Sequence, residues 1–358
     1  MVFTRVLAKR PARMAAIAVA TVGLLAAPTN AVRHAVPVEQ LVGQRLVVAM
    51  QGTSPSAALL ERIRAGQIGG VILFGGNVRT APQVRALTRA LRSAAEVVGQ
   101  PRLLIAVDQE GGGTRRFRWA PPARAAAELG RTSEATVVGA GRATALALRA
   151  LGANVDLAPI ADVPSVAGSF IEAQQRAYAD DPGRAGRLAA AFAEGLADGG
   201  VAATAKHFPG LGRARRNTDL AAVSITASQA ALASDVIPFR ALIAAGVPLV
   251  MLSNATYPSL DAKPAAWSPG VQTLLRRDLG FKGVTITDAL EAVAATHGRS
   301  VSSAALLAAQ AGVDLLLVVG SERSSSLVFD YLVAAAREGR LPAASLQRSY
   351  ERVMQLKR

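Results

Sequence analysis

The chain of 358 residues contains no cysteine, only three histidines and only 4% aromatic residues. Without cysteine, disulfides, thiol catalysis and thiolate metal ligands are excluded. The shortage of histidine disfavours a catalytic zinc site, and the shortage of rings disfavours a groove that stacks single-stranded nucleic acid. The sequence therefore predicts no metal, no organic cofactor and no nucleic-acid partner.

The formal net charge is +15, and four of the cations lie within the first thirteen residues. A basic balance of this size favours an acidic partner, and for an exported protein that partner is an anionic cell-wall polymer. The alternative is general coding bias, because the charges are scattered and arginine and alanine are frequent throughout the sequence.

The first 31 residues have the pattern of a secretory signal peptide. A cationic start is followed by the apolar run 14–27, which is shorter than the ~20 residues that span a bilayer, and then by small residues up to Ala31. We predict a signal peptide at 1–31, a linker at 32–38 and one domain at 39–358. The protein is expected to be secreted or associated with the cell envelope; an uncleaved membrane anchor is the alternative.

Apolar strand-like runs alternate with longer helix-like segments eight times along the chain. Most of the runs are continuous and aliphatic, as expected for strands that are covered on both faces. The predicted strands are 46–50, 70–74, 103–108, 154–159, 202–208, 249–254, 283–288 and 313–319. The helix candidates between them include 81–98, 133–151, 182–198, 228–245 and 302–311.

Eight strand–helix units in one domain predict a (β/α)8 TIM-type barrel, with a doubly wound open sheet as the alternative. Ionisable and polar residues lie at the ends of several predicted strands: Asp108, Lys206, His207, Asn254 and Asp288. The carboxyl ends of barrel strands form the face that carries active sites, so these side chains are expected to converge.

Three segments carry candidate functional residues. Asp288 follows an apolar strand, which makes it a candidate nucleophile or base, with helix capping as the alternative. Asp108 is a candidate hydrogen-bond acceptor for the hydroxyls of a ligand, whereas Glu110 is expected to pair with an arginine. Lys206 and His207 precede a Pro-Gly turn and can both reach a ligand, although a lone histidine is often only structural.

In combination, these motifs resemble glycoside hydrolase family 3, specifically its single-domain bacterial β-N-acetylhexosaminidases. The resemblance rests on 41–44, 69–74, the Asp108 segment, 154–159, 176–178, the Lys206 segment, 280–284 and 311–314. It implies a retaining mechanism in which Asp288 forms a covalent glycosyl-enzyme. It also implies a sugar-binding set that consists of Asp108, Arg116, Arg176, Lys206 and His207.

The loop after Lys206 departs from the pattern of that family. The Asp-Ser-His that supplies the family's acid/base dyad is replaced here by Asn217-Thr218-Asp219. Asp219 is the candidate substitute, because retaining glycosidases commonly use two carboxyl groups. The arginines at 213, 215 and 216 would lower its pKa unless burial outweighs them; the alternatives are that they receive an anionic group of the substrate or are simply solvated. Two smaller departures are Gly113 in place of an arginine and Ala292 in place of a methionine.

The leading hypothesis is an exported monomeric hydrolase that acts on terminal β-linked N-acetylglucosamine of cell-wall fragments. A sugar-binding barrel that has lost turnover together with the dyad is the alternative. A purely structural wall protein fits poorly, because ionisable residues gather at several strand ends.

Overall fold

The computed structural model describes residues 36–358. The predicted signal peptide and most of the predicted linker lie outside the described residues. The sheet is built from eight strands: β1 Leu46–Ala49, β2 Gly70–Leu73, β3 Leu104–Val107, β4 Val155–Asp156, β5 Ala202–Phe208, β6 Leu249–Leu252, β7 Val284–Thr287 and β8 Leu316–Val318.

All neighbouring strands in this sheet are parallel, in the order β7-β6-β5-β4-β3-β2-β1-β8. The two ends of the sheet meet through a parallel bridge between Ile286 and Leu315. The backbone N–H of Leu290 extends this contact by donating to the carbonyl of Leu317 at 3.0 Å. The predicted (β/α)8 barrel is therefore confirmed, and the open-sheet alternative is wrong.

Fourteen α-helices are found in the described part of the chain. They are α1 Val38–Gly43, α2 Ala57–Arg64, α3 Ala81–Glu96, α4 Ala126–Leu129, α5 Glu134–Ala150, α6 Phe170–Ala173, α7 Pro182–Asp198, α8 Gln229–Asp235, α9 Ile237–Ala244, α10 Pro269–Thr273, α11 Val293–Thr296, α12 Val301–Ala311, α13 Glu322–Arg337 and α14 Ala343–Leu356. Two short hairpins pair Gln109–Gly111 with Thr114–Arg115 and Thr256–Tyr257 with Asp261–Pro264. Within residues 36–358, no helix is long and apolar enough to cross a bilayer.

The predicted helix at 228–245 is two helices, α8 and α9, separated at Val236. The break has a local cause. Pro238 lies in the first turn of α9, where a missing N–H costs nothing, whereas inside one long helix it would remove a hydrogen bond. The predicted helix at 182–198 has the bounds of α7, and its N-cap Asp181 accepts a hydrogen bond from the backbone N–H of Arg184.

Side chains alternate between the barrel interior and the layer beneath the helices. In β7, Val284 and Ile286 belong to the interior cluster, while the intervening Thr285 donates its hydroxyl to the carboxylate of Asp314. Both faces of the sheet are buried, which explains the continuous apolar strands. By the same alternation, Asp288 lies on the interior side, one step above Ile286.

Candidate active site

A cavity of about 410 Å³ opens at the carboxyl ends of the strands. Its apolar floor is made by Ile72, Leu157, Met251 and Leu317, which are interior side chains of four strands or strand ends. The seven site residues predicted from the sequence all line this one cavity: Asp108, Arg116, Arg176, Lys206, His207, Asp219 and Asp288. The barrel thus brings together residues that are up to 180 positions apart, from Asp108 to Asp288.

A buried ionic array forms one wall of the cavity. Lys206 lies at its centre and donates to Asp108 Oδ1 at 2.9 Å and to Glu110 Oε1 at 2.6 Å. Arg176 holds Glu110 with two parallel hydrogen bonds of 2.8 Å, and Arg116 donates to Asp108 Oδ2 at 2.9 Å. Glu110 therefore pairs with an arginine, as predicted. Because each residue has at least one charged partner, the array is held in a fixed geometry.

The array stays ionised in spite of its burial. Burial raises the pKa of Asp108, but the charges of Lys206 and Arg116 outweigh it and hold this pKa well below its usual range. Burial likewise opposes the ionisation of Glu110, yet Arg176 and Lys206 lower its pKa to about 2. Each carboxylate oxygen has more than one lone pair, so Asp108 can accept a further hydrogen bond from a ligand hydroxyl.

Asp288 is partly exposed to the cavity and makes no ion pair with any described residue. Its Oδ1 accepts the backbone N–H of Ala289 at 2.7 Å, and the amide of Asn254 fixes the carbonyl of Ala289 at 2.9 Å. Burial raises the pKa of Asp288, His207 counteracts this, and the charge of Asp219 adds to it. The helix-cap alternative for Asp288 is wrong, because the next helix, α11, has Ala292 at its N-cap.

Asp162 was not identified from the sequence, although it orients one of the predicted site residues. Its Oδ2 lies 2.6 Å from Nδ1 of His207, and its Oδ1 accepts the backbone N–H groups of His207 and Leu211 at 3.1 and 2.6 Å. A carboxylate only accepts hydrogen bonds, so Nδ1 carries a proton and Nε2 is left for a ligand. The available signal was an acidic residue in an otherwise buried segment just after a strand.

The loop after β5 places Asn217, Thr218 and Asp219 on the cavity wall. Arg213 is not among the residues that line the cavity and is paired with Asp235 through hydrogen bonds of 2.6 and 3.2 Å. The predicted arginine cluster is therefore reduced to the exposed residues 215 and 216.

Glu291 is a further carboxylate on the cavity wall that the sequence analysis did not single out. Its two oxygens accept the backbone N–H groups of Val319 and Gly320, both at 2.8 Å. Glu291 thus ties the loop that follows β7 to the end of β8. The neighbouring Ala292 also lines the cavity, so the small side chain predicted to widen the site does lie there.

Comparison with known proteins agrees with this geometry. The sequence model of the protein family described as "Glycosyl hydrolase family 3 N terminal domain" matches residues 37–356. The chain belongs to glycoside hydrolase family 3. A secreted glycosyl hydrolase of Arthroderma benhamiae, itself uncharacterised, is 36% identical over 346 residues, which cover 94% of this chain and 97% of that protein. A β-hexosaminidase of Methylococcus capsulatus is 35% identical over 271 residues, covering 74% and 79% of the two chains.

Solved structures of family 3 enzymes share the barrel. A β-N-acetylhexosaminidase from Beutenbergia cavernae superposes with a TM-score of 0.84 at 32% identity, covering 90% of this chain and 99% of that one. A β-N-acetylglucosaminidase from Paenibacillus sp. gives 0.85 at 32% identity, covering 90% of this chain. This chain spans 62% of the length of the Paenibacillus protein. The membership predicted from the motifs is confirmed.

One carboxyl group of this family 3 barrel is buried without a charged hydrogen-bond partner. Asp156 is fully inaccessible; its Oδ1 accepts the backbone N–H of Gln109, and its Oδ2 has no hydrogen-bond partner among the described residues. Burial raises the pKa of Asp156 to about 8. At neutral pH the folded protein therefore keeps a proton on Asp156. The unfolded chain, with an ordinary carboxyl pKa of ~4, has already released that proton.

Asp156→Asn is expected to flatten the pH dependence of stability. Because the folded-state pKa is raised, the stability that the proton provides is complete below pH ~4 and is lost as the pH rises through about 8. The amide keeps the acceptor for Gln109 and cannot ionise. As the pH rises from 5 to 9, the wild type should therefore lose on the order of 4 kcal/mol of unfolding free energy that the variant does not lose. Urea unfolding of both proteins at pH 5 and at pH 9 measures these free energies. If the wild type and the variant lost the same unfolding free energy between the two pH values, the prediction would be contradicted.

Proposed function

We propose that the protein is an exported retaining β-N-acetylhexosaminidase, with Asp288 as nucleophile and Asp219 as acid/base. Its substrate is a terminal β-linked N-acetylglucosamine on cell-wall fragments. The observation that carries the proposal is the environment of Asp288. This carboxylate lines the cavity without an ion pair to any described residue and shares the cavity with a preformed array of charged side chains suited to sugar hydroxyls.

The proposed reaction has two steps. In the first, Oδ2 of Asp288 attacks the anomeric carbon while the bond to the leaving oxygen breaks, and the carboxyl of Asp219 gives its proton to that oxygen. In the second, the Asp219 carboxylate takes a proton from water, and the water oxygen displaces Asp288 from the anomeric carbon. Both carboxyl groups return to their starting states, so no further reactant is needed.

The ionic array would bind the hydroxyls of the terminal sugar. Asp108 offers acceptors and His207 presents Nε2 to the ligand, while Arg116, Arg176 and Lys206 offer donors with full charge. Such a set orients the ring over the nucleophile and so lowers the entropic barrier of the attack. A cavity of 410 Å³ lies at the small end of ligand pockets, which suits one terminal sugar unit.

Export and an envelope location belong to the same proposal. The fungal relative named a secreted glycosyl hydrolase supports export, and so do the cationic and apolar segments before residue 31. The net positive charge favours contact with anionic wall polymer. We propose a signal peptide at 1–31, a linker at 32–38 and a catalytic domain at 39–358 that acts as a monomer.

A 2-deoxy-2-fluoro glycoside with an activated leaving group tests nucleophile and mechanism together. The electronegative fluorine slows breakdown of the glycosyl-enzyme, so the protein should gain the mass of one fluorosugar, on the peptide that contains Asp288. The Asp288→Asn variant is the matched control and should remain unlabelled. A label on a different residue would overturn the assignment of the nucleophile.

The altered loop favours a second candidate function, a sugar-binding barrel without turnover. Asn217-Thr218-Asp219 replaces the Asp-Ser-His of the resemblance, and the carboxylate of Asp219 is exposed. Calorimetric binding of N-acetylglucosamine without hydrolysis of any β-glycoside, activated ones included, would support this candidate over the first.

A further inference from the structure

Two backbone hydrogen bonds join the loop after β5 to the loop after β7. The N–H of Val293 donates to the carbonyl of Asp219 at 3.2 Å, and the N–H of Ala294 donates to the carbonyl of Thr218 at 3.1 Å. Val293 and Ala294 are the first two residues of α11, whose N–H groups have no partner within the helix. We refer to this pair of bonds as the clasp.

Within the described residues, the clasp is what joins residues 218–219 to another segment of the barrel, while inside the loop Oδ1 of Asn217 accepts the N–H of Asp219 at 2.9 Å. The same loop is held at its other end by the Arg213–Asp235 ion pair and by the N–H of Phe170, which donates to the carbonyl of Ala214 at 2.8 Å. The side chain of Asp219 makes no hydrogen bond or ion pair with any described residue. Its direction therefore depends on the backbone at 218–219.

We propose that Val293 is a positioning residue that sets the acid/base Asp219 relative to the nucleophile Asp288. The inference rests on the proposed function and deepens it. Val293 begins α11, five positions after Asp288, in the segment that follows β7. The clasp therefore ties the second carboxyl directly to the segment that carries the first. Retaining glycosidases need these groups about 5 to 5.5 Å apart, and displacements of about 1 Å are costly.

Val293→Pro removes one donor of the clasp with little other change. Val293 is the first residue of α11, where proline is tolerated because its missing N–H is not used within the helix. The preceding Ala292 has φ −56° and ψ 142°, a conformation that residues before proline favour. Val293→Ala is the matched control, because it also shortens the partly exposed side chain but keeps the N–H.

The readout is kcat/KM for two β-glycosides, one with a phenyl and one with a 2,4-dinitrophenyl leaving group. Val293→Pro should lose about 10- to 100-fold relative to Val293→Ala on the phenyl glycoside, which needs protonation. The two variants should be equal on the dinitrophenyl glycoside. Equal losses on both substrates, or no loss on either, would overturn the role of the clasp, since general damage to the fold does not discriminate between leaving groups.

Two further results keep the inference falsifiable. If Asp219→Asn loses activity only on the phenyl glycoside while Val293→Pro does not, the positioning role of the clasp is refuted and Asp219 remains the proposed acid. If neither variant discriminates between the two leaving groups, the assignment of Asp219 as the acid is itself refuted. If the proline variant does not fold, hydrogen exchange of the wild-type protein decides. The amides of Val293 and Ala294 should exchange at least about tenfold more slowly than in an unstructured chain, and unprotected exchange would refute the clasp.

Discussion

Asp288→Asn should lower kcat/KM for any β-glycoside by roughly 10⁴-fold or more, because an amide cannot form the covalent bond to the anomeric carbon. The amide oxygen can still accept the N–H of Ala289, so the fold should be retained. Steady-state kinetics with a chromogenic N-acetylglucosaminide measures the effect, and circular dichroism monitors the fold.

A suitable control is Asp198→Asn, an exposed carboxylate at the end of α7 that precedes β5 and thus lies at the opposite end of the barrel from the cavity. This variant should keep full activity. If Asp288→Asn were as active as the control, Asp288 would not be the nucleophile. The whole assignment of the cavity as a glycosidase site would then have to be withdrawn.

Asp219→Asn should produce a loss that depends on the leaving group. General acid catalysis contributes about 10²- to 10⁴-fold where the departing oxygen needs a proton, so kcat/KM on a disaccharide or phenyl glycoside should fall by that factor. A 2,4-dinitrophenyl glycoside should be cleaved by the variant at nearly the wild-type kcat/KM. Comparison of the two substrates therefore separates protonation from nucleophilic attack.

Asn217→Ala is the matched control for this prediction. It lies on the same wall of the cavity and offers no carboxyl group, although its Oδ1 accepts the N–H of Asp219 at 2.9 Å. Its loss should be smaller than that of Asp219→Asn on the phenyl glycoside. If removal of the Asp219 carboxyl affected both classes of substrate equally, the proton would come from elsewhere in the cavity.

The barrel was predictable from the sequence because the residue pattern that produces it repeats along the chain. Strands that are buried on both faces must be continuously apolar, and eight such runs separated by amphipathic segments allow few other folds. The same regularity predicts the position of Asp288. A side chain that ends an apolar strand in step with Val284 and Ile286 has to emerge into the space enclosed by the sheet.

The partners of the site residues were not predictable in this way. Asp162 reaches His207, and the carboxyl of Glu291 reaches the N–H groups after β8, through loops that have no periodic pattern. The clasp joins backbone groups 74 positions apart, from Asp219 to Val293. Because almost every residue type has these backbone groups, the sequence does not reveal the clasp. Only the closed path of the barrel brings these segments together.

Lys206 contacts both carboxylates of the ionic array, and this restricts which substitutions position 206 can tolerate. Its ammonium contacts Asp108 and Glu110 at once, so a neutral residue at 206 would remove one ion pair from each carboxylate and leave Arg116 and Arg176 as their remaining partners among the described residues. Breaking a buried pair from one side usually costs ~3 to 5 kcal/mol, a large part of the stability of a typical domain. A substitution of Lys206 therefore weakens both ion pairs in a single step, and we expect descendants of this sequence to keep the lysine as long as both carboxylates remain.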